Sequence, residues 1–258
     1  MTLSYALTRW RHVVLLATIC GSLAAIMLFL EDVQEICNGD YHDFADQRTF
    51  FGIRNFFNVI SNVPFAIVGL IGFSVANQFM VVGYAWLAFF TGVAFVSIGS
   101  IYYHLDPSNA TLVWDRLPMT IGFMGLFVAL LGEYVSPRLS RSLLVPALLT
   151  GVFSVFYWHC SGDLRLYAWI QLLPLLAIPT VMVLYKPRYS HQSLLLVALG
   201  WYATAKSLEC YDKEVFAFTQ DNVSGHTLKH LFAAVACLSV LRMLRKRRLI
   251  SDDKALQL

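Results

Sequence analysis

The chain has 258 residues, 58% of them hydrophobic and only 14% charged, where a soluble domain carries roughly 25% charged residues. That balance excludes a soluble domain, a disordered chain and a disulfide scaffold, and a formal charge of +3 is too small to argue for nucleic acid. What remains is an all-α polytopic transmembrane bundle, in which about 20 apolar residues make one crossing.

Eight apolar runs bounded by charge or by Gly/Pro punctuation are predicted to span, at 13–31, 56–76, 80–103, 117–135, 142–158, 166–185, 191–209 and 226–244. The first follows Arg9 and Arg11 as a signal peptide would. Its end, AIMLFLEDV, has no A-x-A cleavage pattern, so it is expected as a retained helix. The polar segment 32–55 follows; Glu31, Asp32, Glu35, Asp40, Asp43 and Asp46 make the stretch before the second span acidic. The second span opens with NFFNVISN, which sets Asn55, Asn58, Ser61 and Asn62 in one polar stripe. Interhelical hydrogen bonding is the expected use of such a stripe in a membrane, with support of a nearby site as a subsidiary use.

The third run ends in SIYYH, giving Ser100 and, one turn on along the same face, His104. The fourth begins just after WDRLPM, which supplies Asp115. The seventh ends in Lys206 and Glu209, whose i, i+3 spacing predicts a pair. The eighth opens with HTLKH. His226 and His230 stand i, i+4, with both imidazoles on one face, while Lys229 is expected to point elsewhere and snorkel to the interface.

Orientation follows from the basic residues. With the N-terminus inside, twelve lie in inner segments (Arg9, Arg11, Arg138, Arg141, Lys186, Arg188, Arg242, Arg245, Lys246, Arg247, Arg248 and Lys254). Five lie in outer ones (Arg48, Arg54, Arg116, Arg165 and Lys213), and Lys206 and Lys229 lie within spans. This predicts eight spans with both termini cytoplasmic. Cys37, Cys160 and Cys210 then fall on the outer side, where disulfides persist. A bridge between Cys37 and Cys210 would tie the two longest outer segments, although spacing alone leaves the connectivity open.

The same count brings Ser100, His104, Asp115, His226 and His230 to one depth, at the outer edge of the membrane. Three histidines that leave an open position suit a catalytic zinc better than a structural one. Asp115 is the expected proton acceptor and donor, and the Ser100 hydroxyl would bond a developing oxyanion. An isolated HxxxH, an interfacial His104–Asp115 pair or a Ser100 bond to its own helix would each be unremarkable. Ionisable residues are costly inside a membrane, however, and three such sites at one depth favour the metal reading. A di-haem carrier would need paired histidines at two depths, and a transporter would need repeats with broken helices, neither of which is evident.

The ordered set resembles the alkaline ceramidases: S-x-x-x-H from Ser100 to His104, Asp115 in DRLPM, then HxxxH near the C-terminus. These belong to a superfamily that includes the adiponectin-receptor-like proteins and the GPI-lipid remodelling hydrolases. The resemblance runs from about residue 40 to 245, and YHDFADQRTFFGIRNFFNVISNVPF looks like the bacterial-type members. It implies a seven-helix zinc hydrolase core (32–245), preceded by a cytoplasmic tail and extra helix (1–31) and followed by a basic tail (246–258).

His104, His226 and His230 become the zinc ligands, Asp115 the acid/base and Ser100 the oxyanion or water-positioning group. The resemblance also implies a calcium site at Asp43, Asp46 and Asn55, with Asn55 standing where the animal enzymes carry a glutamate. The expected substrate is a ceramide-like membrane lipid amide, with no obligatory protein partner. The expected location is a bacterial inner membrane with the site facing outward, and a eukaryotic endomembrane is the alternative. The alternative function is a receptor of the adiponectin-receptor type with a structural or signalling zinc.

Overall fold

The structure, a computed structural model, describes residues 2–30, 41–78 and 82–250, with side chains from Arg9 onward. Among the described residues it is a helical bundle without strands. The helices are α1 (Thr2–Phe29), α2 (Phe56–Ile60), α3 (Val63–Ala76), α4 (Gly83–Leu105), α5 (Asn109–Leu130), α6 (Pro137–Ser161), α7 (Arg165–Leu184), α8 (Ser193–Cys210), α9 (Asp212–Phe218) and α10 (Gly225–Lys246). A single π-helical stretch, Leu131–Val135, extends α5.

Seven of the described segments are long and apolar enough to cross a membrane unaided, with α2 and α3 together making one of them. α8 lies outside that group; Lys206 and Glu209 toward its C-terminal end lower its mean hydropathy. It still runs from one end of the bundle to the other. Tyr189, before α8, bridges Leu249, beyond the end of α10; Asp212, after α8, accepts from the backbone N–H of His226 at the start of α10. α8 and α10 are therefore antiparallel along their whole length, and eight helical passes connect the two ends.

α1 stands at the margin, antiparallel to α7. The register is set by Tyr185 Oη on His12 Nδ1 (2.9 Å), Trp169 Nε1 donating to Ser22 Oγ (3.1 Å) and Arg165 Nη1 donating to the Met27 carbonyl (3.1 Å). Much of its surface is exposed, as are Leu70, Ile98, Phe153 and Val183 on other helices. In a bilayer these side chains meet lipid rather than water.

Two expected boundaries shift. The second span is not one helix but α2 and α3, separated at Ser61 and Asn62. Pro64 stands in the first turn of α3 and has no N–H for the carbonyl of residue 60, so the first helix cannot run through it. The fourth helix starts at Asn109 rather than near 117, because Ser108 and Thr111 form a reciprocal capping box two turns earlier. Asp115 therefore lies within a helix and not in the loop before it.

Helix approach is closest where α4 crosses α5. A Cβ on Gly99 would come within 2.0 Å of the Trp114 carbonyl, and one on Gly92 within 2.4 Å of the Gly122 nitrogen. Membrane helices lack a hydrophobic drive to associate, so small residues that admit close backbones supply the packing. Gly99 and Trp114 each neighbour a site residue, Ser100 and Asp115, so this crossing sets their separation.

At the opposite end, a buried Glu133 binds the Arg247 guanidinium and accepts from Trp86 Nε1 (2.7 Å). Buried charge is expensive unless paired, so this cluster requires the end of α5, α4 and the end of α10 to meet.

Candidate metal centre and active site

His104 comes from the last turn of α4; His226 and His230 come from the first turns of α10. All three are buried, and they offer ring nitrogens within 4.8 Å of one another. Their ring centroids are 4.9–5.0 Å apart, and Nε2 of His226 is 3.3 Å from Nε2 of His104. Neither ring nitrogen of His104 has a hydrogen-bond partner outside the trio.

The stripe on α2 sets the orientation of His230. The Ser61 hydroxyl donates to the Asn58 carbonyl (3.2 Å), and its oxygen lies 2.8 Å from His230 Nδ1, with Asn62 Nδ2 at 3.4 Å. An Nδ1–H donated to Ser61 leaves the Nε2 lone pair free, the usual way in which an outer hydrogen bond aims a metal-binding imidazole. Asn55 Nδ2 donates to the His104 carbonyl (2.9 Å), and Asn58 Oδ1 accepts from Thr227 Oγ1 (2.8 Å). The polar stripe thus serves the site as well as helix contact. The break between α2 and α3 carries Ser61 and Asn62 up against His230.

Three nitrogen donors, one aimed by an outer partner and one otherwise unpartnered, fit a borderline-soft cation such as zinc. Among the described residues, this is the group of histidine, cysteine and acidic side chains that could hold a metal ion.

Ser100 and Asp115 are also brought together. Both are buried, on the two helices whose close crossing at Gly99 and Trp114 sets their separation. Arg116, next in sequence, turns away into an aromatic cage, its guanidinium carbon 3.9 Å from the centre of the Trp158 ring and 5.0 Å from that of Tyr167. Asp115 is therefore not consumed by a salt bridge to its neighbour.

The loop before α2 covers the site at this end of the bundle. Phe44 packs against His104 (4.7 Å between ring centres) and His226 (4.6 Å). Asp212 pins this loop, accepting from Ala45 N–H through Oδ2 (2.9 Å) and from His226 N–H through Oδ1 (2.6 Å). One carboxylate thus caps α10 at its positive end and holds the cover in place.

The expectation for Lys229 is corrected. It does not snorkel away: its Nζ lies 3.0 Å from His226 Nε2 and 2.7 Å from Glu209 Oε1. The signal was its i, i+3 spacing from His226, which shares a face just as i, i+4 does. A cation at the trio would take the His226 lone pair that Lys229 now contacts, and Glu209 would keep the ammonium partnered. Glu209 also pairs with Lys206 as the spacing predicts. Gly225 permits this arrangement, since a Cβ there would come within 2.2 Å of the Leu208 carbonyl. Phe44 and Asp212 were likewise missed, for no local pattern marks a loop residue that folds over a distant helix end.

Of the residues expected for calcium, Asp46 is bonded to Arg48 (2.7 Å) and Asp43 to Lys213 and Gln47, while Asn55 donates through Nδ2 to the His104 carbonyl. Both carboxylates are thus engaged by cationic or amide partners, and the Asp46 contact raises the Arg48 pKa. Cys210 is disulfide-bonded, while its expected partner Cys37 lies outside the described residues. Cys20, Cys160 and Cys237 are free thiols.

Just inward of the site, α3, α4, α5, α7, α8 and α10 enclose an almost wholly apolar cavity. Phe65, Val93, Gly122, Ile178, Ala198 and Ala236 line it, one from each helix. It begins one turn from the site: Val96, Met119 and Ala233 also line it, four residues from Ser100, four from Asp115 and three from His230. Along α10 it reaches Val240, roughly 10 Å deeper at 1.5 Å per residue.

A polar, metal-competent centre therefore lies one helical turn from an apolar chamber. Compared with known proteins, the chain matches the family model described as Ceramidase over residues 48–245. No curated protein matches it.

Proposed function

The chain belongs to the ceramidase family, hydrolases of the ceramide amide bond, and we propose that it is a zinc-dependent intramembrane amidase. A ceramide-like lipid would be split into a sphingoid base and a free fatty acid. The observation that carries this reading is the convergence of His104, His226 and His230 one helical turn from an apolar cavity. A lipid amide has that division: a polar bond to be cut, and a tail that prefers hydrocarbon to water.

His104, His226 and His230 would hold the zinc. Bound there, zinc supplies Lewis-acid polarisation of a carbonyl and an acidified water. Ser61 holds the His230 tautomer through Nδ1, and Phe44 keeps bulk water off the outer side. The Asp115 carboxylate takes a proton from the attacking water and returns it to the nitrogen of the leaving sphingoid amine. The Ser100 hydroxyl would hydrogen-bond the oxyanion as it develops. Over the cycle the amide C–N bond breaks, a C–O bond forms, and the proton passes from water to amine. The cavity holds the acyl tail so that its carbonyl sits at the trio, which lowers the entropy cost of attack.

The Lys/Arg bias supports placing both termini in the cytoplasm and the site toward the other face, and the resemblance supports a bacterial inner membrane. α1 precedes the family match, in keeping with its place outside a seven-helix core.

The test is incubation of protein purified in detergent with a panel of acyl-labelled ceramides. Stoichiometric release of fatty acid and sphingoid base, abolished by a zinc chelator and restored by zinc, is the expected result. A zinc-loaded protein that binds ceramide and releases no fatty acid would instead favour a receptor.

A further inference from the structure

The proposed reaction places negative charge on the amide oxygen, which zinc at the trio and the Ser100 hydroxyl would each meet in part. Ser100 has a single hydroxyl proton to give. Lys229 is placed differently. Its Nζ lies 3.0 Å from His226 Nε2, a nitrogen of the metal-competent trio, and it is largely buried.

Lys229 is also held in advance. Glu209 Oε1 accepts from it at 2.7 Å, across from α8 to α10, while Glu209 Oε2 binds Lys206. Two lysines share one carboxylate, so the cluster keeps a net charge of +1 (two positive, one negative). Glu209 fixes the position of the Lys229 ammonium without cancelling its charge, because Lys206 already offsets the carboxylate. A donor fixed before the reaction contributes most, since it need not reorganise as charge develops.

We infer that Lys229, anchored by Glu209, donates a hydrogen bond from Nζ to the substrate's amide oxygen as that oxygen gains negative charge. Resting on the amidase reading, this makes Lys229 a substrate-contacting residue beside Ser100, and Glu209 its positioning residue. The contact is a hydrogen bond only, so no covalent step is added.

The experiment compares wild type, Lys229→Met, Lys229→Arg and Glu209→Gln, all loaded with zinc. It measures metal stoichiometry, kcat and KM on a short-chain ceramide, and affinity for two inert lipids. One lipid is a phosphonate that mimics the tetrahedral oxyanion, and the other is an uncharged ether of the same length. Lys229→Met is expected to keep its zinc and its KM while kcat falls about 10²–10³-fold, the usual cost of losing one oxyanion donor. Phosphonate affinity should fall and ether affinity should hold. Lys229→Arg should recover part of both losses, and Glu209→Gln should fall between wild type and Lys229→Met.

If Lys229→Met retains zinc and turns over within about threefold of wild type, or binds the phosphonate as tightly as wild type, the inference is wrong. Loss of zinc from Lys229→Met in step with activity would also overturn it, by showing that Lys229 maintains the centre instead. A wild type that cleaves no lipid amide would defeat the amidase reading by itself. The phosphonate comparison would still report whether Lys229 faces an oxyanion at the trio.

Discussion

Replacing His226 with alanine is expected to abolish zinc retention and hydrolysis together. Two histidines cannot make the three-ligand set that catalytic zinc sites use. A bound metal ion stabilises transition-state charge by several kcal/mol, and each 1.4 kcal/mol or so is a factor of ten in rate. A fall in kcat/KM of about 10³-fold or more is therefore expected, and added zinc should recover little of it. The fold should survive, because the residue 226 backbone N–H still reaches Asp212 and the α8–α10 contacts do not use the imidazole. Metal analysis, helical circular dichroism and hydrolysis on one preparation check all three statements. Full turnover by a metal-free His226→Ala protein would remove the basis of the proposed chemistry.

Asp115→Asn is expected to give the opposite dissociation: full zinc content with almost no turnover. The amide keeps the size of the carboxyl. It cannot accept a proton from water or return one to the leaving amine. Removing a positioned general acid or base costs about 10²–10⁴-fold, and here it should appear in kcat with KM nearly unchanged. Arg116 should not compensate, since its guanidinium is committed to the faces of Trp158 and Tyr167. Kinetics on zinc-loaded protein check this. A variant within about threefold of wild type would mean that the proton passes elsewhere.

These two residues were legible in the sequence for different reasons. His226 and His230 are four apart on one helix, and that spacing alone puts them on one face. His104 and Asp115 required a topological step, counting spans and assigning sides from the basic residues. The count of passes accommodates α8, only weakly apolar, because Glu209 pairs with both Lys206 and Lys229.

What the sequence left unread depends on contacts between distant segments. Phe44 and Asp212 stand 168 positions apart, yet the second pins the loop that carries the first over His104 and His226. The direction of Lys229 turned on whether a carboxylate waited on the neighbouring helix, and only the α8–α10 packing supplies Glu209. Asp43 and Asp46 read equally well as calcium ligands or as ion-pair partners, and Arg48 and Lys213 decided for the pairs. The stripe at Asn58, Ser61 and Asn62 was visible as a stripe. Its aim at His230 came from the break at Pro64, a feature an apolar run of 21 residues conceals.

The most direct measurement is X-ray absorption at the zinc edge on detergent-purified wild type, with metal stoichiometry determined on the same sample. One zinc per chain is expected, with three imidazole nitrogens at about 2.0–2.1 Å and a light atom completing the shell. Sulfur scattering at about 2.3 Å, or an active protein that contains no zinc, would contradict the account.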